Sequence, residues 1–275
     1  MEDSTTHKKL IDIEKVFSSK NPGLLKLIPK FIIRYLKRIT HQDEVNQFIE
    51  NHNHLHGIDF ADAIVKHFKG GFETIGEENI PMEGRFIFVA NHPLGALDGM
   101  IFASAVGKHH KNLKFPVNDI LMNIVNLKEI FLPINKHGSQ GREAARLMEA
   151  AYLSDNQMLM FPAGLVSRRT HGHIEDLQWK KNFVKKAISH NRDIIPVHIS
   201  GQNTNFFYNL ANWRKRLGLK ANIEMLYLVD EIYKQKKNTI TITFGQPIRC
   251  EQLQKNHSIE QWAQKIKEQV YALKK

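Results

Sequence analysis

From Phe72 onward the chain alternates short apolar runs with helical segments, and this alternation limits the folds open to it. Runs at 72–80, 85–90, 113–117, 130–134, 157–162, 193–200, 222–228 and 239–244 read as strands. The first two lie around a turn at 81–84. Segments at 97–106, 120–126, 140–153 and 179–190 read as helices. Ser258 and Gln261 make a capping box for a last helix that carries Trp262, Ile266 and Val270 on one face. Strands joined through helices favour parallel pairing, with helices covering both faces of the sheet. The expected class is α/β, with a mainly parallel central sheet flanked by helices and an N-terminal helical appendage. In such sheets sites form in loops beyond the carboxyl ends of strands.

The expected division is a helical segment over 1–70, a candidate for membrane docking, and an α/β domain over 71–275. Within the first, Asn21 and Pro22 suit a helix start, and Pro29 kinks or splits that helix. Lys26, Lys30, Arg34 and Lys37/Arg38 recur every three to four residues as a basic stripe. Leu25, Ile28, Ile32, Tyr35, Leu36 and Ile39 fall largely on the other side. Such a helix either packs on the body with a solvated basic face or lies in an anionic bilayer surface.

Charge widens that choice. The 39 basic and 28 acidic residues leave a net charge of +11, which favours polyanions: nucleic acid, an anionic membrane face or an acidic carrier protein. The single cysteine, Cys250, excludes an internal disulfide. No apolar run reaches the ~18 residues of a membrane span, and the first twenty residues lack a secretory pattern. The expected location is cytoplasmic, or cytoplasmic and surface-bound.

Two constellations come directly after apolar strands, and a third lies within one. Asn91-His92-Pro93-Leu94-Gly95-Ala96-Leu97-Asp98 places His92 at a strand's carboxyl end, with Gly95 in the turn and Asp98 in the next helix's first turn. Brought together by the turn, the carboxylate fixes the imidazole tautomer and makes His92 a general base for a hydroxyl. The same pair also suits a buried structural histidine with a capping aspartate. Phe161-Pro162-Ala163-Gly164 leads into Ser167, Arg168 and Arg169, which gather donors for an anion or form an exposed basic loop. Ile195-Pro196-Val197 belongs to a buried strand that ends in the small turn Ser200-Gly201.

Other features point less far. His52, His54 and His56, the pair His109-His110, and His171 with His173 lack metal-ligand spacing, so no metal is expected. There is no nucleotide-type glycine loop and no Gly-x-Ser-x-Gly. Phe206-Phe207-Tyr208 and Trp213 beside Arg214, Lys215 and Arg216 suit core packing, base stacking or an amphipathic membrane edge.

Together the constellations resemble the glycerolipid acyltransferase family that includes 1-acylglycerol-3-phosphate acyltransferases, over about 72–247. The nearest branch is the hemolysin-like set linked to ornithine or glycine lipid synthesis. Asn91-His92 with Asp98 resembles the catalytic block, Lys128 to Asn135 the second, Phe161 to Gly164 the third and Ile195-Pro196-Val197 the fourth. The His–Asp spacing is one residue longer than the common form, as in the hemolysin-like branch. Ala163, Leu165 and Val166 stand where the family usually has Glu, Thr and Arg, and the second block's usual Arg is replaced around Asn135 and Lys136.

The resemblance implies an enzyme that moves a fatty acyl group from an acyl carrier protein or coenzyme A thioester to a lyso-lipid hydroxyl. The acceptor is a lyso-aminolipid, such as lyso-ornithine or lyso-glycine lipid, or lysophosphatidic acid. His92 is then the base and Asp98 its partner. Asn91, Gly95, Asn135, Lys136, Gly164, Ser167, Arg168 and Arg169 are expected around the substrate, with Arg168 taking over anion binding. Backbone N–H groups near Gly164 or at the helix start after His92 are the expected oxyanion donors. No cofactor, no metal and no nucleic-acid partner are expected; the enzyme would sit on the inner face of the cell membrane. The alternative is a basic membrane- or nucleic-acid-binding protein without catalysis.

Overall fold

The structure, a computed structural model, describes residues 11–20, 28–69, 71–118, 121–134, 138–234 and 239–274. Asn135 and Lys136 of the expected site, and Lys26 of the basic stripe, lie outside the described residues. The chain opens with α1 (Ile13–Lys20), α2 (Lys30–Ile39), α3 (Gln42–Asn51) and α4 (Gly57–Lys69). β1 (Glu73–Ile75), β2 (Phe86–Ala90), α5 (Ala96–Gly107), β3 (Leu113–Val117) and β4 (Phe131–Pro133) succeed them. Next come α6 (Gly138–Leu153), β5 (Gln157–Met160), a hairpin of β6 (Arg168–Thr170) and β7 (His173–Glu175), α7 (Asn182–Ser189) and β8 (Asp193–Ile199). α8 (Asn205–Arg216), α9 (Leu228–Lys234), β9 (Thr241–Phe244), α10 (Cys250–Leu253) and α11 (Ile259–Ala272) complete it.

The central sheet has the order β1-β9-β8-β2-β5-β3-β4. β8, β2, β5, β3 and β4 run parallel; β9 turns antiparallel to β8, and β1 pairs parallel with β9. This is the mainly parallel, helix-covered sheet expected. β2 is buried along its whole length. Phe86, Phe88 and Ala90 enter one apolar layer with α4 and α5; Ile87 and Val89 enter the other with Phe183 of α7 and Ile266 of α11. α4 lies on the helical side of the expected boundary, yet gives Phe60 and Val65 to the same layer as α5.

Three local expectations are corrected. Only Glu73–Ile75 of 72–80 is strand, and it pairs with β9 instead of turning back on β2. The run 222–228 is a 3-10 turn, Ile223–Tyr227, leading into α9. Its alternation imitates a strand, but Glu224 is wholly buried between two arginines. Of 120–126, the described part forms two 3-10 turns, Leu121–Asn123 and Val125–Leu127.

α2 divides its surface between the body and the exterior. Ile33, Leu36 and Ile39 are buried against the body, while Phe31, Ile32 and Tyr35 stay exposed among Lys30, Arg34 and Arg38. The Tyr35 hydroxyl lies 2.7 Å from that of Tyr227, and the Tyr227 ring meets Phe206 at 4.9 Å between centroids. The exposed face of α2 is thereby continuous with Phe206 on α8, where Trp213 is also exposed. No helix among the described residues is long and apolar enough to cross a membrane.

Candidate active site

Parallel β2, β5 and β8 end at one edge of the sheet, so the loops after them meet there. Asn91 fastens two of these ends. Its side-chain amide donates to the Ile199 carbonyl (2.9 Å), and its oxygen accepts from the Ile199 N–H (2.7 Å). The chain then turns through Pro93 to Gly95, which has φ +89° and caps α5. A Cβ at Gly95 would also come within 2.9 Å of Leu228, so this turn selects glycine twice over.

The turn brings Asp98 back onto His92. Nδ1 of His92 lies 3.1 Å from both carboxylate oxygens of Asp98. One of those oxygens also accepts the N–H groups of Leu94 (2.8 Å) and Gly95 (3.1 Å). Asp98 is fully buried, whereas the His92 side chain keeps 17% of its surface exposed. A carboxylate only accepts, so the proton sits on Nδ1 and the Nε2 lone pair is free. Nε2 makes no hydrogen bond to a described residue. Phe161, just after β5, stacks on the imidazole at 3.9 Å and 16° and holds the ring's plane. The turn thus brings His92 and Asp98 together, as their spacing suggests.

The backbone of His92 is held as firmly by a residue absent from the expected set. Asp176 accepts the His92 N–H (3.1 Å), the Ser167 hydroxyl (2.6 Å) and the Trp179 indole N–H (2.9 Å). Ser167 N–H closes the loop by donating to the His92 carbonyl (2.7 Å). The Asp176 N–H donates to the Tyr271 hydroxyl (2.7 Å), and Lys267 donates to the Asp176 carbonyl (2.8 Å), which ties α11 to the site. Burial raises the Asp176 carboxyl above its ordinary value, against the three donors that favour its charge. Asp176 lies 84 residues from His92 in the chain, and its one sequence signal is an indole three residues on.

The other expected residues divide. Ser167 is at the site but spends its hydroxyl on Asp176. Arg168 points inward. It is 97% buried, donates to the Val166 carbonyl (2.7 Å) and pairs with Glu224 (2.9 Å), which Arg214 also grips (2.8 Å). That placement makes it part of an interior ion cluster and turns its guanidinium away from a ligand. Arg169 lies nearer the surface, over the Tyr208 ring and against Asn205 and Asn209 on α8. Gly164, at φ +68°, donates its N–H to the Phe161 carbonyl (2.9 Å). This N–H and those of Leu94 and Gly95 are therefore engaged within the protein.

Comparison with known proteins places this geometry in a family. The family model described as "Acyltransferase" matches residues 15–275. A lyso-glycine lipid O-acyltransferase of Bacteroides thetaiotaomicron is 47% identical over 265 residues, covering 96% of this chain and 97% of that protein. The protein of the same name from Phocaeicola vulgatus is also 47% identical, over 96% and 95% of the two chains. A solved structure, the 1-acyl-sn-glycerophosphate acyltransferase PlsC of Thermotoga maritima, aligns with a TM-score of 0.46 at 17% identity, covering 90% of this chain and 83% of that one.

Proposed function

The chain belongs to the acyltransferase family, and we propose that it acylates the hydroxyl of a lyso-aminolipid with a glycine head group, using His92 as general base. The observation that carries the proposal is the orientation of His92: Nδ1 is bound by buried Asp98 and Nε2 is left open. Nε2 takes the acceptor's proton as its oxygen attacks the carbonyl of an acyl thioester. The C–O bond forms, the tetrahedral oxyanion collapses, and the C–S bond breaks. The thiolate of the carrier protein or coenzyme A leaves with the proton from His92. Asp98 keeps the tautomer and stabilises the imidazolium between the two transfers. With Leu94, Gly95 and Gly164 engaged, the first-turn N–H groups of α5 are the donors we assign to the oxyanion. The acyl thioester is the only co-substrate in this scheme.

Support for a glycine head group comes from the names of the two relatives and from the residues that replace the family's usual phosphate ligands. Ala163, Leu165 and Val166 are apolar, and Val166 is fully buried. A lipid acceptor requires access to a bilayer, and we assign that contact to the exposed face of α2 joined to Phe206 and Trp213 of α8. Its apolar rings lie among Lys30, Arg34 and Arg38, which suits the anionic inner face of a cell membrane.

The test is transfer by purified protein. Dispersed N-(3-hydroxypalmitoyl)glycine is offered with palmitoyl thioesters of acyl carrier protein and of coenzyme A, and the O-acylated product is detected by mass spectrometry. The parent should form product and His92→Ala should form none while melting like the parent. Product from His92→Ala at the parent's rate refutes the base assignment.

A further inference from the structure

Beside the catalytic turn lies a cleft of about 690 Å³ whose inner wall is the backbone that carries His92. Asn91 and Pro93 flank His92 on that wall, and Ser167 joins them. The outer wall is the tip of the β6–β7 hairpin and the end of α11, Tyr271 and Lys274. The hairpin turns through His171 and Gly172, both at positive φ, as a two-residue turn between paired strands does.

His198, near the end of β8, also lines this cleft. It is only 5% exposed, yet neither ring nitrogen bonds a described residue; its neighbour is the edge of the Tyr271 ring, 6.1 Å away. The His198 ring faces the cleft, where it is open to a group that enters from outside the chain. Burial first, and then the Lys274 ammonium, hold His198 down at about 4, which keeps it neutral near pH 7 with one N–H to donate. Lys274 forms no ion pair with a described carboxylate. Glu175, the acid of the cleft, lies 3.5 Å from the Lys267 ammonium. The cleft thus holds a free cation beside a buried hydrogen-bond donor and lacks, among the described residues, the anion that would complete them.

We propose that this cleft receives the head-group carboxylate of the acceptor, bound by Lys274 and His198. The proposal rests on the reading of the acceptor as a lyso-aminolipid. A glycine joined to an acyl chain through its nitrogen keeps its carboxylate. In an N-(3-hydroxyacyl)glycine six bonds separate the hydroxyl oxygen from the carboxyl carbon, a reach of about 7 Å, or two extended residues. The cleft begins at Asn91 and Pro93, the chain neighbours of His92, and the proposal requires that a head group of this reach enter it there from a hydroxyl held at His92. A phosphate monoester head, four bonds from the acceptor oxygen in a lysophosphatidic acid, is shorter-reaching and dianionic, whereas one lysine and one neutral imidazole match a single carboxylate.

The test separates this site from the reaction. N-palmitoylglycine has the carboxylate but no hydroxyl to acylate. Its binding to the full chain, in neutral detergent, is titrated against that of N-palmitoylglycinamide. The parent should bind the acid about tenfold more tightly than the amide. Lys274→Ala, at an exposed position, should erase the preference, Lys274→Arg should retain most of it, and His198→Gln should reduce it. Equal binding of acid and amide by the parent, or a preference that survives Lys274→Ala, overturns the site. A thioester KM that rises in Lys274→Ala while the acceptor KM stays unchanged overturns it as well, because the anion then belongs to the donor. Acyl transfer to N-(3-hydroxypalmitoyl)glycine is scored in parallel, so a wrong acceptor, which gives no transfer, is distinguished from a wrong site, which gives no acid preference.

Discussion

Asp98→Asn is the sharpest probe of the His92 tautomer, because the structure dictates which way the new amide must face. One carboxylate oxygen of Asp98 accepts two fixed backbone donors, Leu94 N–H at 2.8 Å and Gly95 N–H at 3.1 Å. In the variant the amide oxygen has to stay there, since an NH₂ would confront both. The NH₂ then takes the position of the other oxygen, 3.1 Å from His92 Nδ1. The NH₂ disfavours a proton on Nδ1 against the retained oxygen, which lies at the same 3.1 Å, so the expected tautomer carries its proton on Nε2 and the base is lost without any change of shape. The turnover number should fall about 10³–10⁴-fold, the scale of a triad histidine held in the wrong tautomer. Stability should fall by only about 1–2 kcal/mol, because both backbone bonds survive and one charge-assisted bond is lost. Initial rates at saturating acceptor give the first quantity, and urea denaturation gives the second. In a His92→Ala background the same substitution should cost nothing further, since the two residues act as a unit. A turnover number within tenfold of the parent's, or an additive loss in the double variant, would refute the pairing as the source of catalysis.

Other perturbations test the surroundings. His198 sits at about 4 in the folded chain against an ordinary 6.5, so between these values the unfolded chain holds a proton that the folded one does not. Its contribution to stability is complete above 6.5 and is lost as pH falls toward 4; at pH 5 the parent should have lost about 2 kcal/mol that His198→Gln does not lose, measured by urea denaturation at pH 7.5 and 5. Identical pH profiles for the two proteins would contradict that burial. Arg168→Ala strips one of two partners from wholly buried Glu224 and should cost about 3 kcal/mol in the same assay, with little effect on the acceptor KM of the folded fraction; a KM effect with unchanged stability would restore Arg168 to the substrate. Replacing Lys30, Arg34 and Arg38 with Gln should weaken sedimentation with anionic vesicles at low salt and spare activity on detergent-dispersed acceptor. Undiminished sedimentation would assign docking to the rings of α2 and α8 alone, or to another surface.

How much the sequence discloses depends on how locally each feature is encoded. The strand at 86–90 is legible because burial on both faces demands five consecutive apolar residues, and nothing polar interrupts them. His92 and Asp98 are legible because one turn separates them, and Gly95 marks that turn. The 222–228 run misleads for the opposite reason. Ile223, Met225 and Tyr227 alternate as in a strand, while the deciding fact is the burial of Glu224 between Arg214, ten residues away, and Arg168, 56 residues away. The same cluster explains why Arg168, conspicuous in an arginine pair after a glycine turn, faces inward.

The support around His92 was beyond reach of pattern for a physical reason. A strand or an amphipathic helix repeats its burial every two or every 3.6 residues, so periodicity reveals it. The groups that hold the His92 turn repeat nothing. Asp176 and Ile199 each meet it once, from separate elements, through a single hydrogen bond or a pair of them, and Tyr271 reaches it only through Asp176. Asp176 is the clearest case: burial raises its carboxyl above the ordinary value, and three donors oppose that shift, one of them the backbone N–H of His92. Its role depends on the docking of α11 and on the closure of the β6–β7 hairpin, and both are consequences of the finished fold. The cleft with His198 and Lys274 depends on the same two elements. The part of the molecule that holds the His92 turn and the part that we assign to the head group therefore share the same elements: the last helix, the hairpin and the end of β8.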